Sequence, residues 1–490
     1  MDDLVRALRV TAVNTAPIAA TGDYVLYWMI AARRTTWSYA LDHAIARADE
    51  LGKPLVVLEP LRIGYAWAST RMHAFVLQGM ADNAAAFAAA GVTYLPYVEP
   101  EAGRGSGLLA ALAKRACLVI TDEQPGFFLS TMVAAAGAKL PVLLEQVDSN
   151  GLIPLRALDR AYTTAASFRR GWQKIIFPHL MARPAEAPLA KLPRGVKGGE
   201  PPGLRAWPMA SAGLLATTPA ALAALPIDQA VGPVDTRGGS AAAGEVLAGF
   251  LAHGLARYHE GRRDIENDAS SGLSPYLHFG HISAHEAIAR VWRAAKWDPT
   301  RVAGVKATGS REAWWGVPPG PESFLDEIVT WRELGYGFCF HHPDFASYDT
   351  LPEWARKTLD AASADKREPS YTRAQLDRAE THDPLWNAAQ RQLVRDGRIH
   401  NYLRMLWGKK ILEWSPSPRA ALATLIELNN RYAIDGRDPN SYSGIMWTLG
   451  RFDRPWAPAR PVFGTIRFMS SDSTRKKMNV KPYLARYASL

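Results

Sequence analysis

The chain has 490 residues, 48% of them hydrophobic and 21% charged, with a formal net charge of +10. That is the composition of an ordinary globular protein with room for two or three domains, each with its own core. No run of about 20 apolar residues is present to span a membrane, and two cysteines, Cys117 and Cys339, exclude a disulfide framework, a four-thiolate cluster and an all-cysteine zinc site.

The acidic start, Met1 to Arg6, has no signal-peptide core, so export is not expected and a reducing cytoplasm is. The first 175 or so residues then alternate short apolar runs with amphipathic stretches. Tyr24–Met29, Pro54–Leu58, Val92–Pro96, Cys117–Ile120 and Pro141–Leu144 read as strands, and Met72 to Ala90 as a helix between two of them. This alternation predicts a parallel sheet flanked by helices. The glycine fingerprint of a dinucleotide cradle is missing, because Gly103, Gly105 and Gly107 follow Pro100-Glu101 rather than a strand and so predict a loop.

From about Met181 to Ala243 the composition shifts to Ala, Pro and Gly, which predicts a long linker with one short helix near Pro219 to Ala224. Beyond Gly244 the pattern is helical. Asp383-Pro384 and Ser417-Pro418 are helix starts, a capping side chain followed by proline in the first turn. Gly397 separates the helix of Trp386 from that of Arg404. The expected domains are therefore 1–180, α/β; 181–243, linker; and 244–490, helical.

The helical part is also the aromatic part, with 12 of the 16 tryptophans beyond residue 200. Trp407 and Trp414 are seven residues apart, so they fall near one helix face about 10 Å apart along the axis, and Trp386 on the preceding helix can pack beside them. Singly these would be core aromatics; together they form a physically reasonable relay of indoles. Tyr258 and Arg262 precede Ala269-Ser270-Ser271-Gly272-Leu273-Ser274 and Pro275-Tyr276-Leu277-His278-Phe279-Gly280. Serine hydroxyls and free backbone N–H groups near a helix start make an anion site, although an ordinary capped turn looks the same. Between Arg451 and Arg486 nine Lys or Arg face two Asp, a basic end that suits a polyanion. His278, His281 and His285 have spacings that could line one helix face, but no Glu or Cys completes a zinc signature, and no metal is expected.

The Ser-Pro-Tyr-Leu-His-Phe-Gly string, the tract from Trp386 through Trp407 and Trp414 to Asp435-Gly436-Arg437-Asp438-Pro439-Asn440, and Phe324 to Leu334 together resemble the class II cyclobutane pyrimidine dimer photolyases of the photolyase/cryptochrome superfamily. The resemblance reaches from about Tyr24 to Lys477 and is strongest from Glu327 to Arg467. It implies a Rossmann-like α/β domain joined to an all-α FAD-binding domain, and light-driven electron transfer from reduced FAD to a flipped-out dimer. It assigns Tyr258, Ser270, Ser271, Gly272, Leu273 and Ser274 to FAD, and makes Arg404 and Asp435 an ion pair beside the isoalloxazine ring. It sets Asn429 opposite the flavin N5. It implies that Trp407, Trp386 and Trp414 carry electrons inward, in an order the sequence does not fix.

On the lesion side it implies Glu327 as hydrogen-bond partner or proton source, and Trp331, Trp447 and Met405 as walls. Arg262, Arg454 and Arg467 become DNA or lesion contacts. An antenna chromophore of the deazaflavin kind in the N-terminal domain is a further implication, without assignable residues. Damaged DNA is the implied partner; protein partners and oligomeric state are not readable. Three departures stand out: a long stretch from Trp297 to Pro321 containing Trp314-Trp315, a long proline-rich linker, and Ala433 where the family generally has an acidic residue. The rival readings are a cryptochrome-like photoreceptor without repair, a flavin-free DNA-binding protein, and a nicotinamide oxidoreductase.

Overall fold

The computed structural model describes residues 7–193 and 198–489; the acidic start Met1 to Arg6 and residues 194–197 of the proline-rich stretch lie outside them. The chain divides into two compact units. One comprises Met1–Asp159, Ile175–Ala248 and Gly272–Ala303, the other Arg160–Lys174, Gly249–Ser271 and Gly304–Leu490.

The first unit is built on a six-stranded sheet, β1 (Val10–Ala12), β2 (Tyr24–Trp28), β3 (Leu55–Leu61), β4 (Thr93–Val98), β5 (Ala116–Asp122) and β6 (Leu144–Val147), in the order β1-β6-β5-β2-β3-β4. All neighbours are parallel except β1, which runs antiparallel to β6. The central strand β2 is buried on both faces, which is why it reads as an unbroken apolar run. Tyr24, Leu26 and Trp28 join one core with Val56, Leu58 and Val119, whereas Val25 and Tyr27 join the opposite core with Val57, Leu118 and Ile120. Thus the fold class follows the alternation in the sequence. The last strand is Leu144–Val147 rather than Pro141–Leu144, and the short edge strand β1 was not expected. Three residues carry no readable period, and Pro141 to Leu143, an irregular lead-in to β6, resembles a strand in composition alone.

The proline-rich stretch is not a bare tether. It forms short helical turns, among them Pro219–Ala223 at the predicted place, and is bonded along the first unit by Ala210 N–H to Pro96 O (2.7 Å), Thr70 N–H to Asp228 O (3.1 Å) and Arg71 N–H to Val231 O (3.0 Å).

At the end of β5, the Asp122 carboxylate accepts hydrogen bonds from the backbone N–H groups of Ile30, Ala31 and Ala32 and from the Tyr27 hydroxyl, at 2.7–2.9 Å. This fixes the loop after β2, against which the Ser274–Phe279 helix ends. Its cap Gly280 has φ +73°, and a Cβ there would lie 1.9 Å from the Ala31 carbonyl oxygen. Arg34 donates to the Gly280 carbonyl at 3.0 Å.

In the second unit, Asp383 caps the Pro384–Asp396 helix by accepting from Leu385 and Trp386 N–H, and Ser417 caps Pro418–Tyr432. Gly397 ends the first of these in the left-handed region (φ +69°), as predicted. The Asn401–Trp414 helix passes close to Pro439–Thr448: a Cβ on Gly408 would stand 2.6 Å from Thr448 Cγ2. His278 and His285 belong to separate helices, Ser274–Phe279 and Ala284–Ala294, so the three histidines do not share one helix face. His285 packs on Tyr39, and His281 Nδ1 accepts from Gly239 N–H.

Gly280→Ala should cost more than about 2 kcal/mol, since it adds a backbone clash to a left-handed φ; a denaturant-unfolding midpoint within error of the parent would contradict this close approach.

Candidate active site

The second unit gathers the tryptophans. Trp386, Trp407 and Trp414 are all fully buried. The Trp386 indole N–H donates to the Trp407 carbonyl at 3.0 Å, and the Trp407 indole N–H donates to Gln390 Oε1 at 2.9 Å. Each buried N–H thereby has an acceptor, as burial demands, and the two bonds tie the Pro384–Asp396 and Asn401–Trp414 helices together. Trp386 and Trp414 lie edge to face, ring centroids 5.5 Å apart. On its far side Trp414 touches Tyr371 and His382, each at 5.4 Å, and the Tyr371 hydroxyl lies 2.8 Å from His382 Nδ1. His382 is exposed, so a run of ring contacts leads from the buried helices to the surface. Gln390, Tyr371 and His382 were not singled out from sequence; Gln390 sits one helical turn after Trp386, and that spacing was its only signal.

Arg404, three residues before Trp407, donates from Nη2 to Asp435 Oδ1 at 2.8 Å, so the predicted pair is formed. Its Nε is buried with no acceptor among the described residues. A buried donor on a cation, left unmatched, fits a bound group that presents an acceptor or negative charge. Asn429 is buried, its amide nitrogen 2.9 Å from the Gly436 carbonyl and from Ser441 Oγ, which fixes the side chain beside the Asp435 turn. Ala433 is fully buried there, where a carboxylate would need a partner.

A second group centres on Glu327. Asp326–Trp331 is a π-helical turn, so the α-turn expected to join Glu327 and Trp331 is a widened one; such turns occur often at functional sites. Arg262 Nη1 is hydrogen-bonded to Glu327 Oε1, and the Arg262 guanidinium also lies 5.7 Å from the Tyr258 ring centre. Tyr258, Arg262 and Glu327 are thus brought together. Withdrawal from water raises the Glu327 carboxyl above its usual range, with Arg262 opposing the shift. Burial, then the Glu327 charge, raises the Tyr258 phenol well above its ordinary value.

The turn is held from behind. Asp326 takes a two-point hydrogen bond from Arg169, Nε to Oδ1 at 2.7 Å and Nη2 to Oδ2 at 2.9 Å. Trp172 donates its N–H to Thr330 Oγ1 at 3.3 Å and packs on Trp314 and Trp315 at 4.9 and 5.5 Å. Trp314-Trp315, without a role in the sequence reading, therefore forms part of this support.

Ser270 is exposed, and its N–H and hydroxyl bond to the Asp268 carboxylate at 2.8 and 2.9 Å. Here the expected anion-binding serine closes a local turn. Ser271 ends its segment of the second unit, while Gly272 (φ +67°), Leu273 and Ser274 fall in the first. Met405 and Trp331 are half-buried. Trp447, also half-buried, has Lys409 Nζ 4.8 Å and the Arg467 guanidinium 5.7 Å from its ring centre. Arg467 and Arg454 both lie over Trp456, at 4.1 and 4.5 Å, and Arg467 Nε donates to Asp453 Oδ2 at 3.0 Å. Lys409, Asp453 and Trp456 were missed, having no motif of their own.

Known proteins match this chain along most of its length. It is 32% identical to the deoxyribodipyrimidine photo-lyase of Methanothermobacter thermautotrophicus over 492 residues, covering 99% of each chain. With that of Oryza sativa subsp. japonica the identity is 34%, over 95% of this chain and 87% of the other. The chain therefore belongs to the photolyase/cryptochrome superfamily. More narrowly, the relatives it matches are deoxyribodipyrimidine photo-lyases, that of Arabidopsis thaliana among them at 31% identity over 97% of this chain and 90% of that one. No family model matches the chain. A bacterial class III photolyase from Agrobacterium tumefaciens shares the fold, with a TM-score of 0.69 at 19% identity, covering 97% of this chain and 87% of that one. Among the described residues no helix is long and apolar enough to cross a membrane, and no His, Cys, Asp and Glu cluster could hold a metal ion.

Arg169→Ala leaves Asp326 buried and unpaired, and should cost about 3–5 kcal/mol in denaturant unfolding; a loss below about 1 kcal/mol, the range of surface pairs, would contradict the support described for the π turn.

Proposed function

We propose that this chain is a DNA photolyase of the class II type, which splits cyclobutane pyrimidine dimers in light while the dimer is extruded from the duplex. The observation that carries this reading is the course of the Asn401–Trp414 helix. It bears Arg404, paired with Asp435 and keeping a buried unmatched Nε, and one turn later Trp407, bonded to the helix of Trp386, whose ring in turn meets Trp414.

FAD is the cofactor in this reading, with Arg404, Asp435, Asn429 and Tyr258 as its principal contacts and Ser271 toward its diphosphate. When bound and reduced, it would supply under illumination the electron needed to open the cyclobutane ring, with no net redox change. Arg404 stabilises negative charge on the ring system and Asp435 holds the guanidinium in place. Trp407, Trp386 and Trp414 pass an electron inward when the cofactor is oxidised, and the acceptors on the Trp386 and Trp407 N–H groups keep those two rings in register. Glu327 is the lesion's hydrogen-bond partner. Withdrawal from water raises its carboxyl, against the pull of Arg262, which suits a group that passes a proton to the dimer. Arg262, paired with Glu327, is a further contact to the lesion or DNA. Trp331, Trp447 and Met405 wall the extruded bases, a step costing a few kcal/mol, and Arg454 and Arg467 meet the DNA. An antenna of the deazaflavin kind in the first unit completes the reading. Its setting is the cytoplasm, on DNA.

Two variants test it. Trp407→Phe should slow photoreduction of the oxidised cofactor about tenfold or more, while chemically reduced protein repairs at the parental rate; unchanged photoreduction would sink the relay. Glu327→Gln should lower repair by reduced protein about tenfold, the modest end of proton-transfer contributions, and leave photoreduction intact. Parental repair in that variant would remove Glu327 as a proton source.

A further inference from the structure

Lys409 is an anomaly of this site. Its side chain is wholly buried in the middle of the Asn401–Trp414 helix. Nζ donates to the Thr448 carbonyl at 2.7 Å, at the C-terminal end of the Pro439–Thr448 helix, and stands 4.8 Å from the Trp447 ring centre. Among the described residues no carboxylate comes within ion-pair distance of it; the nearby Asp453 is engaged with Arg467 and, at 3.1 Å, with the Trp456 N–H. A buried ammonium without a counter-ion is expensive, and an apolar side chain of the same length would pack there at lower cost. What the charge obtains in return is the helix-end carbonyl and the face of one indole.

We propose that Lys409 is a positioning residue for lesion recognition, its ammonium fixing the Trp447 indole against the helix end in the orientation that walls an extruded pyrimidine. The inference rests on the reading of Trp447 as a lesion wall. A half-buried indole without this anchor has two side-chain torsions free to relax, and a base stacking on it must then bear the cost of ordering it.

The charge is set to respond to pH. Burial pushes Lys409 down to about 7; Asp453 opposes that shift and Arg467 adds to it, and these are the charged groups that act on it. Below that value the ammonium holds both the carbonyl and the ring, and above it the attraction to the ring is lost. Stability runs the other way. The unfolded lysine keeps its proton up to about pH 10.4, so the folded protein gains stability as pH rises from about 7 through that window. Lesion discrimination and stability should therefore move in opposite directions, which a purely structural lysine would not produce.

The test is the ratio of affinities for one oligonucleotide with and without a single thymine cyclobutane dimer, at fixed ionic strength, so that phosphate contacts cancel. In the parent the ratio should fall about fivefold between about pH 6 and pH 8.5, the scale of one cation–π contact. Lys409→Met should show the low ratio throughout, and Lys409→Arg the high ratio throughout. Trp447→Ala should lower the ratio and abolish its pH dependence. A parental ratio that is flat with pH, while Trp447→Ala still lowers it, overturns the role of Lys409 and leaves the wall intact; this arm needs no lysine variant to fold. An unchanged ratio in Trp447→Ala overturns both and identifies the wall assignment as the failure.

Discussion

Two buried indole N–H groups impose the constraint on which the helical unit depends. An indole N–H withdrawn from water must find an acceptor or forfeit its hydration. Here the acceptor for Trp386 is a backbone carbonyl of the neighbouring helix, and the acceptor for Trp407 is Gln390 on the helix of Trp386. The bonds are reciprocal, so neither helix can slide or rotate without exposing a donor. Because Arg404 rides on one of these helices, its partner Asp435 and the fixed amide of Asn429 are registered to the same frame. The proposed electron path and the proposed cofactor pocket therefore share one piece of scaffolding.

The proposed lesion side is organised differently. Glu327 and Trp331 sit on a π turn, and the surroundings hold it in place. A two-point Arg169–Asp326 bond and the Trp172, Trp314 and Trp315 cluster brace the turn from behind. In front, Glu327 is paired with Arg262. Rigid support behind one ion pair suits the proposed lesion surface, which must stay shaped while admitting a bulky, flipped nucleotide. The long Trp297 to Pro321 stretch, which stood out only by length, thus has a physical account for its tryptophan pair.

Much of this was legible in the sequence because the relevant periods are short and strong. β2 and the Cys117–Ile120 part of β5 are unbroken apolar runs, and Asp383-Pro384 and Ser417-Pro418 announce their helices. The Arg404–Asp435 contact came from resemblance, since nothing in a separation of 31 residues predicts a pairing. What stayed hidden lacks local signal. β1 is too short for a period, the π turn looks like any helix, and Ser270 could not be told from a capped turn, which is how its hydroxyl is used. Lys409 reads as one of two adjacent lysines in a helix, and only the packing separates it from Lys410, which pairs with Glu413 at 2.7 Å.

The central claim is that the two arrays serve one reaction, light-driven opening of a pyrimidine dimer. Its most direct measurement is loss of the dimer from an oligonucleotide carrying a single thymine cyclobutane dimer, incubated with chemically reduced protein in near-ultraviolet or blue light and in the dark. Restoration of the two thymines in light alone is the predicted result. A flavin-loaded protein that binds the damaged strand and leaves the dimer intact under illumination would contradict it.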